Sequence, residues 1–170
     1  MLELGDPDQL LTYNCEHLAF RHTGLDDSRG LGTVGLWIKE IASSHLGKRT
    51  KVGRVRLAES QTDHSWAVPG CAELHISEEM SSLVTTCHEL AHLIGSPRHD
   101  PRFRRANIEL IRLVGGESPA ARLQGAYRGA GLAVASIQNW EPKSVRPLWR
   151  MDVAAVLTLA VTVLAIFVWS

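Results

Sequence analysis

Residues 77–104 read SEEMSSLVTTCHELAHLIGSPRHDPRFR, and the reading of this stretch decides the fold. Leu83, Cys87, Leu90 and Ile94 recur at intervals of three and four, the spacing of one apolar stripe on an α-helix. Ser77, followed by Glu78 and Glu79, predicts the helix start: a capping hydroxyl with two acids at the positive end of the dipole. Gly95 predicts its end, and Asp100-Pro101 opens the next helix as N-cap and first helical residue. Inside the first helix lies His88-Glu89-Leu90-Ala91-His92. Residues i and i+4 share one helix face, so both imidazoles can reach one metal ion while Glu89 projects beside it. Neutral imidazole suits zinc.

A catalytic zinc site takes three protein ligands and keeps one position open. Two histidines on one helix cannot supply the third ligand, so the chain must turn and come back. Gly95-Ser96-Pro97 breaks the helix, and His99 arrives just ahead of the next cap. His99 is the leading candidate, with Asp100 and Glu109 as competitors.

Working outward, Val34, Trp37, Ile38 and Ile41 repeat at helical spacing from Thr33, and Gly47 predicts the end of that helix. Residues 52–59 alternate apolar and polar with β-branched side chains, which predicts a strand. After the Pro69-Gly70 turn, Ala72, Leu74 and Ile76 alternate with Glu73, His75 and Ser77 in a second strand. Phe103, Ala106, Leu110 and Leu113 predict the buried face of the next helix, which Gly115-Gly116 ends. Ser118-Pro119 opens another, running to about Gly131. A short helix fits residues 10–20, and Gly24 to Gly32 read as loop. The order is helix, two strands, then helices: an α+β domain with its sheet to one side.

Residues 87–104, CHELAHLIGSPRHDPRFR, resemble the HExxH…H(D/G)xxF signature of the SprT-like and WLM-type metallopeptidases, which are compact zincins. His99, Asp100 and Phe103 match the second half, and the likeness covers about residues 50–132. The resemblance implies a zinc peptidase with His88, His92 and His99 as metal ligands and Glu89 as general base, hydrolysing peptide bonds through a metal-activated water. It also implies a protein or peptide substrate that pairs as an extended strand with main chain near residues 71–77. His64, His75 and Tyr127 are the candidates for stabilising the oxyanion. The alternative is a non-catalytic zinc-binding module that binds a protein or nucleic-acid partner.

Eighteen Lys and Arg balance eighteen Asp and Glu, so no chain-wide field attracts nucleic acid. Arg98, Arg102, Arg104, Arg105 and Arg112 form a local basic cluster, read as a solvated helix face that could also meet nucleic acid or anionic lipid. Three cysteines do not make a disulfide framework and fit a reducing compartment. Cys87 falls on the apolar stripe, as a small core residue. Residues 153–169, VAAVLTLAVTVLAIFVW, carry no charge, proline or glycine and are bracketed by Trp149 and Trp169. They predict a single-pass membrane helix. Lys143, Arg146 and Arg150 precede it and nothing basic follows, which predicts a cytoplasmic N-terminal domain. The acidic start (Glu3, Asp6, Asp8) does not read as a signal peptide. The expected organisation is a loop-rich extension over 1–32, a zincin-like metallopeptidase domain over 33–138, a basic juxtamembrane linker over 139–152 and the membrane helix over 153–169.

Overall fold

The computed structural model describes residues 6–146. They form an α+β domain of six α-helices and a small three-stranded sheet. Along the chain these are α1 (Gln9–Phe20), α2 (Leu31–Ser43), α3 (His45–Thr50), β1 (Arg56–Glu59), β2 (Trp66–Val68), β3 (Glu73–Ile76), α4 (Leu83–Ile94), α5 (Pro101–Gly115) and α6 (Glu117–Gly129). The predicted membrane helix over 153–169 lies outside the described residues. Among the described residues, no helix is long and apolar enough to cross a membrane.

The sheet order is β1-β3-β2, with β1 parallel and β2 antiparallel to β3. The alternation of the 72–76 segment is visible in its burial: Ala72, Leu74 and Ile76 are buried, Glu73 and His75 only partly. Because β3 is hydrogen-bonded on both sides, its main chain has no edge left for a substrate strand. That corrects the pairing expected at 71–77. The edges are β1 and β2; β2 is absent from the sequence reading because three residues are too few for a period to register. At residues 52–59 only the second half is strand; Val52–Arg54 form a 3₁₀ turn.

The motif helix also begins later than predicted. Ser82, not Ser77, is its N-cap, accepting the Thr85 N–H at 3.0 Å. Glu78–Met80 form a separate 3₁₀ turn, held off the helix axis by Ser81, whose Oγ donates to Glu78 O and accepts the Gly30 N–H. The apolar stripe is as expected, with Leu83, Cys87, Leu90 and Ile94 all buried. Asp100 caps α5, its Oδ1 accepting the Arg102 and Phe103 N–H groups, and Pro101 follows. Leu113 is 39% exposed, and the buried arc of α5 runs through Ile108 and Ile111 instead. Gly47 does not end a helix. The break falls at Ser44, whose extended backbone separates α2 from α3 and whose Oγ accepts the Gly47 N–H.

Both ends of the described chain fold into the same core. Cys15, Ala19 and Phe20 of α1 are buried, so part of the expected 1–32 extension is core. At the other end Trp140 and Val145 are buried, and the N–H groups of Lys143 and Val145 donate to Ile94 O and Thr50 O. The first residues of the expected linker are therefore packed on the domain.

Gly95 sits where α4 gives way to the turn before α5, and its backbone is not left-handed (φ −104°). Space, not conformation, requires the glycine: a Cβ there would lie 2.7 Å from Ala106 Cβ and 2.8 Å from Ala91 O. Overpacking of this kind costs about 1–3 kcal/mol, so Gly95→Ala is expected to lower the urea midpoint clearly. The exposed helical Gly125 has nothing within 4 Å of an added Cβ. Gly125→Ala should raise stability by about 0.5–1 kcal/mol in the same measurement.

Candidate metal centre

Helix α4 presents His88 and His92 on one face, and the turn after Gly95 returns His99 to them. One nitrogen from each of the three imidazoles lies within 4.8 Å of the other two. The three residues are close enough to hold a metal ion. His88 Nε2 and His99 Nε2 are 3.1 Å apart, near the roughly 3.3 Å that two ligands at about 2.0–2.1 Å from a tetrahedral zinc subtend. Phe103, fully buried, lies under all three rings with centroid distances of 4.8 Å to His88, 4.5 Å to His92 and 4.7 Å to His99.

Every Nδ1 has an acceptor that can only accept. His88 Nδ1 donates to Glu16 at 2.9 Å, His99 Nδ1 to Asp6 at 2.8 Å and His92 Nδ1 to the Ser96 carbonyl at 3.1 Å. These contacts place the ring protons on Nδ1 and leave the Nε2 lone pairs facing inward, the tautomer that metal-ligating histidines take. Two such lone pairs 3.1 Å apart repel unless a cation lies between them. The donor set thus fits a cation, with imidazole chemistry suited to zinc.

The electrostatics agree. Burial alone would lower His88, but the Glu16 carboxylate outweighs it and raises the imidazole above its usual value. Burial, then the charges of His88 and His99, press His92 down to about 3. Burial and His88 also lower His99. Asp6 is held below the ordinary carboxylate value because the main-chain and ring N–H groups of His99 outweigh its burial. Glu89 is 6% exposed, and its burial pushes the carboxyl up to about 7.

No family model, curated protein or solved structure matches this chain. What the site can do follows from its own geometry.

The imidazoles and Glu89 line a cleft of about 830 Å³, closed on its other sides by Tyr13, Trp66 and Met80 among others. Of the competitors for third ligand, Asp100 caps α5 and accepts the Ser96 hydroxyl, and Glu109 is paired with Arg105 and Arg112. Neither joins the histidine group. Of the three oxyanion candidates, Tyr127 is buried and donates to Glu16 at 3.1 Å, outside the cleft lining. His75 stacks on Trp66 and pairs with Glu73, also off the lining, while His64 lies on it, exposed beside Asp63. The basic cluster is not one solvated face: Arg104 is 1% exposed and bonds to Ala133 O, His99 O and Asp8. Cys15, Cys71 and Cys87 are free thiols.

Asp6, Tyr13 and Glu16 are the site residues missed in the sequence. Glu16 lies 72 residues before His88, and besides that ring it holds Asn107 Nδ2 at 2.7 Å and the Tyr127 hydroxyl. Removing such a partner of a ligating histidine costs about 10–100-fold in metal affinity. Glu16→Gln should weaken zinc binding by that factor in a competition titration. His99→Ala should abolish stoichiometric zinc measured by mass spectrometry, and Glu109→Gln should leave it unchanged.

Proposed function

We propose that this protein is a zinc-dependent peptidase of the compact zincin type, similar in its motif to the SprT-like and WLM-type enzymes. The observation that carries the reading is the convergence of three inward-facing Nε2 atoms beside a buried carboxylate in an open cleft. His88, His92 and His99 would hold the ion, and Glu16, Asp6 and the Ser96 carbonyl would hold the ligands. Zinc, when bound, supplies Lewis acidity for a water and for a scissile carbonyl.

The remaining chemistry belongs to the chain. Glu89 follows the first ligand on α4 and is not itself one of the converging groups, so it is free to move protons. It takes the proton of the attacking water and passes it to the leaving amine. Ala67 of the edge strand β2 has its main-chain amide beside Glu89. An extended peptide added to that edge would carry its backbone past the carboxylate, with main-chain hydrogen bonds giving affinity. A membrane anchor at 153–169 would confine this chemistry to cytoplasmic or membrane-proximal proteins.

Glu89→Gln tests the reading, because it keeps the shape and removes the base. In the zinc-loaded protein, casein hydrolysis is expected to fall by about 10²–10⁴-fold, with zinc content and circular dichroism unchanged. Hydrolysis that persists in the variant would refute the assignment of Glu89. A zinc-loaded wild-type chain that cleaves neither casein nor a mixed peptide library would favour the partner-binding module.

A further inference from the structure

We propose that the Tyr13 hydroxyl is the hydrogen-bond donor to the oxyanion that forms on the scissile carbonyl. This rests on the peptidase reading above. The same face of α1 that sends Glu16 to His88 Nδ1 places Tyr13, one turn earlier, over the imidazole ring. The two rings stack with centroids 4.9 Å apart and planes 14° from parallel, and the Tyr13 ring is also 5.3 Å from that of His99. Phe103 fills the core side of the same imidazoles and is wholly buried, whereas Tyr13 is 42% exposed and lines the cleft.

The chemistry needs such a group. Among the described residues that line the cleft there is no lysine or arginine, while Asp6, Glu16 and Glu89 are all carboxylates. Beyond the Lewis acidity zinc would supply, negative charge developing on a substrate there finds no lysine or arginine on the lining, so a second donor has to be a hydroxyl, an amide or an imidazole. The other hydroxyls on the lining are engaged with neighbouring loops and caps: Thr85 accepts from the Ser82 hydroxyl, Ser65 accepts the Ser77 N–H, and Thr62 accepts the His64 N–H and contacts the Ser60 hydroxyl. Among the described lining residues that carry a hydroxyl, Tyr13 is the one whose ring packs against two of the three histidines.

The step balances without another reagent. The water oxygen bonds to the carbonyl carbon, its proton passes to Glu89, and the carbonyl π pair moves onto oxygen. Tyr13 donates a hydrogen bond to that oxygen and keeps its own proton. The C–N bond then breaks, its pair goes to nitrogen, which takes the proton from Glu89, and the C=O bond re-forms.

Tyr13→Phe in the full chain retains the stacked ring and deletes the hydroxyl. Three quantities are read: zinc content by mass spectrometry, casein hydrolysis, and calorimetric binding of a phosphinic dipeptide, whose anionic tetrahedral phosphorus mimics the oxyanion. The expected result is one zinc per chain, kcat lower by about 10²–10³-fold with KM little changed, and phosphinate affinity lower by about tenfold or more. Wild-type kcat and phosphinate affinity in the variant would overturn the role of Tyr13. If the zinc-loaded wild type neither cleaves casein nor binds the phosphinate, the peptidase reading itself falls, and the Tyr13 assignment falls with it.

Discussion

The fold is organised around a repulsion. His88 and His99 turn unprotonated Nε2 atoms towards each other at 3.1 Å because their Nδ1 protons are already given to Glu16 and Asp6. Two lone pairs at that distance are stable only around positive charge. Rotating either ring would relieve the repulsion, yet each ring is wedged by Phe103 and tied at Nδ1. The scaffold thus holds three histidines in fixed positions, close enough to hold a metal ion.

Holding that geometry requires burying carboxylates, which is expensive unless each is hydrogen-bonded. Glu16 is 5% exposed and is met by the His88 ring, the Asn107 amide and the Tyr127 hydroxyl. Asp6 takes both the main-chain N–H and the ring N–H of His99. Arg104, itself buried, ties the His99 carbonyl to Asp8 and to the Ala133 carbonyl. The burial of Asn107 and Arg104 in α5 is explained by these contacts and not by the apolar core. An α5 residue that looks like surface charge in the sequence is a brace for His99.

Legibility followed the physics of each signal. The α4 stripe and the Asp100-Pro101 start were readable because helical periodicity and capping act within a few residues. The HExxH pair was readable for the same reason: one turn of helix brings both rings together whatever the remainder does. Strand β2 was too short to show alternation, and the start of α4 moved to Ser82 because Ser81 is bonded to Gly30, a contact across 51 residues. Glu16 left one trace. Thr12, Glu16 and Phe20, spaced by four, lie on the buried side of α1 with Cys15 and Ala19, and a glutamate on a burying stripe calls for a buried donor. The identity of that donor, His88, is a tertiary fact that spacing along the chain cannot supply.

That long-range tie joins the two ends of the site thermodynamically. Residues 6–16 supply the acceptors for two of the three imidazoles, while α4 and the following turn supply the imidazoles themselves. A metal ion that favours the Nδ1-protonated tautomers also favours the docked position of α1, since that helix's carboxylate stabilises those tautomers. By linkage the converse holds with equal magnitude: whatever undocks α1 weakens the metal by the same factor. Residues 6–16, read in the sequence as part of a loop-rich extension, are in this sense part of the candidate centre. Tyr13 belongs to the same helix face as Glu16, so undocking α1 would withdraw the cleft-side ring together with the acceptor of His88.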